Sequence, residues 1–294
     1  MRLPEGACAR RVALADGALH VVEAGPADAP ALLLLHGWPE FWAGYVRLIP
    51  RLSGEFRLVV PDLRGFAGSA ALGPAESLET HVADQRALLD ALGVARAGIV
   101  GHDVGAHVAQ GIALAAPERV RGLFFGNCPY PGIGRRWVED GQVAEIWYQS
   151  FNQQPWAADL VGASRETCRL YIGHFLRHWA ADPHAFDAVL EDWVDAYMTP
   201  GALAGGFAWY RAANAGRLRQ IAEGPQPRAP IDRPAVVWWG AEDPVLRAEW
   251  TSGLERYFTD LAVEIAPGVG HFGFFEAPEA AAARIRAFFG RLGP

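Results

Sequence analysis

The chain has 294 residues, a formal net charge of −7 at pH 7 and 51% hydrophobic residues. That length and apolar content suit one large α/β domain, or a core with an insert, around a sizeable buried interior. The acidic balance, with every basic residue an arginine and no basic block, argues against nucleic acid and against an anionic membrane surface. Three cysteines, Cys8, Cys128 and Cys168, are odd in number and lack metal-ligand spacing, which fits a reduced cytoplasmic compartment. Met1 to Gly6 has no long apolar region, so no signal peptide is expected. The apolar run Leu32 to Leu35 is far too short to span a bilayer.

In chain order, Arg11 to Leu14 and Leu19 to Glu23 flank Asp16-Gly17, a hairpin signal. Ala31 to Leu35 is wholly apolar, as a strand buried on both faces of a parallel sheet should be. It ends in His36-Gly37-Trp38-Pro39. Phe56 to Val60 is the next such run and ends in Pro61-Asp62-Leu63-Arg64-Gly65. Leu78 to Leu92 has helical periodicity and stops at Gly93. Ala97 to Val100 is a strand that runs into Gly101-His102-Asp103-Val104-Gly105, and an Ala-rich helical pattern follows as far as Pro117. Val120 to Phe125 is another strand, ending in Gly126-Asn127-Cys128-Pro129-Tyr130.

From about Pro131 to Pro230 strand runs vanish. Helical, aromatic segments replace them: Ile146 to Tyr148, Leu170 to Trp179, Phe186 to Met198 and Phe207 to Leu218. The α/β pattern resumes with a strand at Ala235 to Trp239, a helix near Arg247 to Tyr257, a strand at Ala262 to Ala266 and a final helix at Pro278 to Leu292. The expected organisation is therefore an α/β core over 1–130 and 231–294 with an all-helical insert over 131–230. Alternating strands and helices imply a mostly parallel, doubly wound sheet, whose chemistry sits beyond the carboxyl ends of its strands. The insert would lie over that edge as a lid.

Three chemistry-bearing residues fall at those ends: Asp103, Asp243 in Gly240-Ala241-Glu242-Asp243-Pro244, and His271 in Gly270-His271-Phe272. Strand, Gly-x-Asp-x-Gly turn and helix form the context of a nucleophile elbow, and the order nucleophile, acid, histidine is that of the elbow hydrolases. Asp243 is preferred to its neighbour Glu242 as the acid. After the Val120 strand, where an alternative acid would stand, the chain has Asn127. His271, oriented by Asp243, would act beside Asp103. The backbone N–H groups of Val104 and Trp38 are candidates for an oxyanion hole. The elbow residue is Asp rather than Ser. A carboxylate is already ionised and can attack saturated carbon to give an alkyl ester, leaving the histidine free to activate water. That points to epoxides and alkyl halides rather than esters or amides.

Taken together these motifs resemble the α/β-hydrolase fold and, within it, the epoxide hydrolase and dehalogenase branch. His36-Gly37-Trp38-Pro39-Glu40-Phe41-Trp42 resembles the H-G-x-P-x-x-W segment of epoxide hydrolases. Pro61 to Ser69 resembles their P-D-x-R-G-x-G-x-S segment, with Ala67 in place of a glycine. Asn127-Cys128-Pro129-Tyr130 resembles their N-x-P-[FY] segment. The resemblance implies an inserted helical cap that carries two tyrosines for the epoxide oxygen. Tyr148 in Trp147 to Pro155 resembles the Y-Q-x-[YF]-x-Q-x-P segment, and Tyr210 in Trp209-Tyr210-Arg211 resembles the W-Y-R segment. Fluoroacetate dehalogenases carry His-Trp in the first of these and arginines just after the nucleophile. Here Tyr148-Gln149, Val104 and His107 stand there. Haloalkane dehalogenases usually place Trp after the nucleophile and Asn or Glu after H-G, where this chain has Val104 and Trp38.

The expectation is thus an epoxide hydrolase forming a vicinal diol, with Asp103, His271, Asp243, Tyr148 and Tyr210 catalytic, Trp38 and Val104 as backbone donors, and Trp38 and Gln149 against the substrate. No cofactor or metal is expected. His174 and His178, spaced i, i+4, read as a solvated helix face rather than a metal site. His107 is given no catalytic role, and His36 and Arg64-Gly65 are read as loop supports. The substrate is expected to be a small apolar or aromatic epoxide, without nucleic-acid or membrane partners; a homodimer is left open. Two alternatives remain: a dehalogenase using the same nucleophile, and a non-catalytic binding protein of the same fold with Tyr148 and Tyr210 as core aromatics.

Overall fold

A computed structural model of the chain describes residues 1–293. Eight strands form one sheet in the order β1-β2-β4-β3-β5-β6-β7-β8. They are β1 (Cys8–Leu14), β2 (Gly17–Ala24), β3 (Ala31–Leu35), β4 (Arg57–Pro61), β5 (Ala97–His102), β6 (Val120–Gly126), β7 (Ala235–Gly240) and β8 (Leu261–Ala266). The hairpin β1–β2 and the β2–β4 pair are antiparallel, and every other pair is parallel. This is the expected mostly parallel α/β-hydrolase sheet. Strands β3, β5, β6 and β7 are buried along their whole length, which is why β3 and β7 are continuous apolar runs and β5 and β6 nearly so, broken only by His102 and Arg121.

The helices are α1 (Ile49–Leu52), α2 (Leu78–Ala91), α3 (Val104–Ala115), α4 (Gln142–Glu145), α5 (Trp147–Phe151), α6 (Ala157–Val161), α7 (Arg165–His178), α8 (Leu190–Met198), α9 (Ala202–Glu223), α10 (Gly273–Glu276) and α11 (Pro278–Arg291). Helices α4 to α9 all fall between β6 and β7. Helix α2 starts where Ser77 accepts a hydrogen bond from the Thr80 N–H, and Ser164 and Thr167 form a reciprocal capping box for α7. Helix α11 opens on Pro278 and buries Ala281, Ile285, Phe288 and Phe289.

Several expectations about elements change; helix α7 starts at Arg165 rather than Leu170, and three others follow. The segment Arg247 to Tyr257 is not one helix but two 3₁₀ turns, Ala248–Thr251 and Leu254–Tyr257. Gly253, at φ +103°, breaks them apart, and the Tyr130 hydroxyl holds the break by donating to the Trp250 carbonyl at 2.6 Å. Phe186 lies ahead of α8 rather than in it, because its ring stacks on Phe275 at 4.1 Å and 10°. Helix α9 begins earlier than the Phe207 start expected. Its glycines are poor helix formers in isolation, but tertiary contact requires one of them: a Cβ on Gly205 would sit 2.0 Å from the Gly65 carbonyl oxygen. Helix α9 is therefore seated backbone against backbone on the loop that follows β4.

Candidate active site

Asp103 joins the end of β5 to the start of α3 with φ +45° and ψ −113°. This backbone state is strained for a residue with a side chain, and tight packing holds it. A Cβ on Gly105 would lie 2.0 Å from the Leu35 carbonyl oxygen, so only glycine lets α3 approach β3 this closely. The turn leaves the Asp103 side chain 13% exposed at the sheet edge.

The turn after β7 brings Asp243 and the turn after β8 brings His271 to the same place. His271 Nδ1 donates to Asp243 Oδ2 at 2.7 Å, and His271 Nε2 stands 3.5 Å from Asp103 Oδ2. Asp243 is buried, while Glu242 is exposed. The Asp243 carboxylate is compensated in its dry setting by the Val245 and Leu246 N–H groups, each 2.9 Å from Oδ1, and by Asn127 Nδ2, 2.5 Å from Oδ2. Burial alone would lower the His271 pKa. The charge of Asp243, with that of Asp103, overrides burial and pushes it up to about 10.

The loops behind these groups are tied together through buried polar atoms. His36 Nδ1 donates to the Gly37 carbonyl at 2.8 Å, and its Nε2 accepts from the Leu63 N–H at 2.9 Å. Burial holds its pKa below the usual value and so keeps it neutral. Arg64 grips Asp84 with two bonds of 2.7 and 2.8 Å. His102 Nε2 donates to the His271 carbonyl at 2.7 Å, and its Nδ1 lies 2.5 Å from Glu40 Oε2, which also accepts from the Gly37 N–H at 3.0 Å. Glu40 thus links the Gly37 turn to the carbonyl of His271. On its other side the His271 N–H donates to the Trp179 carbonyl at 2.8 Å, at the end of α7. Glu276 accepts from Gly270, Phe272 and Ala181 backbone N–H groups at 3.1, 2.9 and 2.8 Å.

Gly37 lies against the elbow, since a Cβ there would be 2.6 Å from Asp103 Cβ. The neighbouring Trp38 N–H and that of Val104, the first residue of α3, donate to no backbone acceptor in the turns, loops and caps of the described residues. First-turn N–H groups of a helix have no intrahelical partner and point outward.

Asp103 opens into a cavity of about 310 Å³ also lined by Tyr148, Gln149, Tyr210, His107 and Trp209. Tyr148 comes from α5 and Tyr210 from α9, with ring centroids 5.5 Å apart at 90°. Gln149 Nε2 donates to the Tyr148 oxygen at 3.2 Å, which leaves the phenol O–H free to donate elsewhere. Burial raises both phenol pKa values, so both are protonated donors across the neutral range. His107 lines the cavity wall in a neutral state, its pKa lowered to about 4 by burial and then by Arg228.

One expected contact is corrected. The Trp38 side chain is not among the residues lining this cavity. It is fully buried behind the tyrosines, stacked on Tyr148 at 5.4 Å and 2° and edge-on to Tyr210 at 5.3 Å. Its apolar area is consumed in fixing Tyr148. His174 and His178 stack on one face of α7 at 5.4 Å, and His178 Nε2 is 2.7 Å from Glu145. Among the described residues no cluster of three His, Cys, Asp or Glu side chains is placed to hold a metal ion. No described helix is long and apolar enough to cross a membrane.

Sequence reasoning missed the part played by Glu40 and Asn127. Both stand inside motifs that resemble the epoxide hydrolase segments, yet only the fold shows that one reaches His102 and the other Asp243.

A strained elbow at the edge of a mostly parallel sheet, with an acid and a histidine from the turns after the last two strands, is the architecture of an α/β hydrolase. Residues 30–278 match the model of the α/β hydrolase fold family, and the chain belongs to that family. It is 27% identical over 81% of its length to Epoxide hydrolase 4 of Homo sapiens, and spans 66% of that protein, just under two thirds. It is 29% identical to a fluoroacetate dehalogenase of a Burkholderia species, over 93% of this chain and 88% of that one. The crystal structure of wild-type Cfl2 from Burkholderia cenocepacia superposes with a TM-score of 0.86 at 29% identity, covering 98% of each chain.

Proposed function

We propose that this protein is an epoxide hydrolase that forms a vicinal diol through a hydroxyalkyl ester on Asp103. The observation that carries the reading is the placement of two phenol donors, Tyr148 and Tyr210, on the wall of the cavity into which Asp103 opens. An opening epoxide develops alkoxide charge and needs acidic O–H donors, whereas a departing halide needs N–H donors in an apolar cradle. On this reading 131–230 is a helical cap over a core of 1–130 and 231–294.

The Asp103 carboxylate attacks one oxirane carbon and the C–O bond breaks. The oxygen takes a proton from a tyrosine, and that tyrosine recovers one from His271. The ester has no charge to hold an imidazolium, so alkylation itself removes part of what keeps His271 protonated. His271 becomes a base at the step that needs one. It deprotonates water, the hydroxide adds to the ester carbonyl, and the N–H groups of Trp38 and Val104 face the tetrahedral oxyanion. Collapse releases the diol and returns Asp103 as carboxylate and His271 as imidazolium. Trp209 and Trp137 on the cavity wall suit an apolar substrate body.

The test is direct. Asp103→Asn is expected to lose at least about a thousandfold in kcat. A single wild-type turnover in heavy-oxygen water is expected to label Asp103 and leave the first diol unlabelled. Label confined to the diol would mean direct attack by water and would sink the ester mechanism. The dehalogenase reading rests on the similarity to the fluoroacetate dehalogenase. Fluoroacetate and a chloroalkane, assayed beside styrene-type and aliphatic epoxides, decide it by halide against diol.

A further inference from the structure

Arg217 stands on the wall of the catalytic cavity and has no role in the chemistry above. It lies on α9 seven residues after Tyr210, so both belong to one helix face, separated by about 10 Å along the axis. Among the described residues its one side-chain hydrogen bond runs from a terminal nitrogen to Asn214 Oδ1 at 2.8 Å. Its Nε is buried without an acceptor. Gln153 Nε2 donates to the same Asn214 oxygen at 3.4 Å, which leaves the Asn214 amide nitrogen as a second donor toward the cavity. Gln220, one turn further on, also lines the wall.

No carboxylate of the described residues pairs with Arg217. Many other arginines of this chain do have acidic partners, as Arg64 with Asp84 and Arg169 with Glu191 show. The groups acting electrostatically on Arg217 are the two phenols, and burial lowers its pKa. Glu79 lines the cavity too, but it is exposed and forms no ion pair with Arg217. A partly buried guanidinium without a counter-ion is costly unless a ligand brings the anion.

We infer that Arg217, with Asn214, binds a carboxylate on the substrate, and that the substrate class is an epoxy monocarboxylic acid. Its oxirane would lie between Asp103 and the tyrosines and its acid group up to about two helical turns along α9. This rests on the epoxide reading above and narrows it: the apolar body spans the aromatic wall and ends in one negative charge. A single guanidinium with neutral amide neighbours matches one carboxylate, whose two oxygens it can bind in parallel. A phosphate dianion would face one cation with Glu79 on the same wall.

The experiment compares 7,8-epoxyoctanoate with its methyl ester in wild type, Arg217→Gln and Arg217→Lys. Wild type is expected to favour the acid by about tenfold or more in kcat/KM. Arg217→Gln is expected to bring the acid-to-ester ratio close to one, mainly through KM, and Arg217→Lys to restore part of it. An equal rate for acid and ester in wild type overturns the inference. So does an equal loss on both in Arg217→Gln, which would mean that Arg217 acts through the acidity of the phenols.

Calorimetric binding of octanoate and octanamide separates the two levels. Octanoate is expected to bind Arg217→Gln about tenfold more weakly than wild type, with no such difference for octanamide. Arg217-dependent octanoate binding without any epoxide turnover would reject the epoxide reading and keep the anchor. Diol formation without octanoate discrimination would reject the anchor and keep the epoxide reading.

Discussion

At the scale of single residues, Asn127 is the most informative. It sits at φ +38° just after β6, accepts from the Gly240 N–H at 2.9 Å and donates to Asp243. One side chain therefore sets both the β7 turn and the acid it carries. Asn127→Ala removes a donor from a buried carboxylate and, on the proposed mechanism, is expected to slow ester hydrolysis about tenfold or more, while alkylation of Asp103 changes less. Rapid-quench measurement should then show the Asp103 ester accumulating; equal slowing of both half-reactions would contradict this role. The sequence presented Asn127 as the absence of an acid and as part of an N-x-P-[FY] segment, with no sign of its partner. Its partner lies 116 positions away along the chain, and no local pattern reports such a pairing.

At the scale of elements, strands and the elbow were legible because their signals are local. Apolar runs, broken only by His102 in β5 and Arg121 in β6, mark β3, β5, β6 and β7, and glycines bracket Asp103. The helices between β6 and β7 were legible as helices but not in their limits. Aromatic burial moved the start of α8 past Phe186, and the contact of Gly205 with Gly65 extended α9 backwards through the pair Gly205-Gly206 to Ala202. Seating of this kind is a tertiary effect that outweighs propensity. It also makes a prediction. Gly205→Val places side-chain atoms in the Gly65 backbone, and the shift of α9 carries Tyr210 with it. A loss of about 2 to 3 kcal/mol in unfolding free energy is expected, together with a fall in epoxide turnover. Denaturant titration beside the diol assay checks it; wild-type stability would show that the helix can move off the loop without cost. Trp38 illustrates the opposite difficulty. Its place in the H-G-x-P segment suggested a substrate contact, but whether an indole faces a cavity or stacks behind a tyrosine depends on the insert, which the segment does not encode.

At the scale of the whole molecule, two buried histidines and one half-buried on the cavity wall give stability a characteristic pH dependence. His271 has a folded pKa near 10, above the unfolded value of about 6.5. Its contribution is complete below about pH 6.5 and is lost as the pH rises toward 10. His81 and His107 are held neutral by burial, with pKa values lowered to about 3 and about 4. The unfolded chain gains protons at these sites below about pH 6.5 and the folded chain does not, so stability falls as the pH drops from there. The melting temperature is expected to peak near neutrality. In His271→Gln the alkaline limb of a calorimetric pH series should flatten, and a limb as steep as in wild type would refute the assignment.

The bond from the His271 N–H to the Trp179 carbonyl has a consequence for how such enzymes can be recombined. A region that enters and leaves the chain between two strands invites transplantation, one substrate-shaping piece exchanged for another. Here the position of the proposed general base is shared property. A Cβ on Gly270 would meet the Trp179 oxygen at 2.4 Å, and Ala181 and Gly270 are clasped by the same Glu276 oxygen. A graft that reshapes the pocket but lacks a matching carbonyl at this junction would leave His271 of the recipient core out of register.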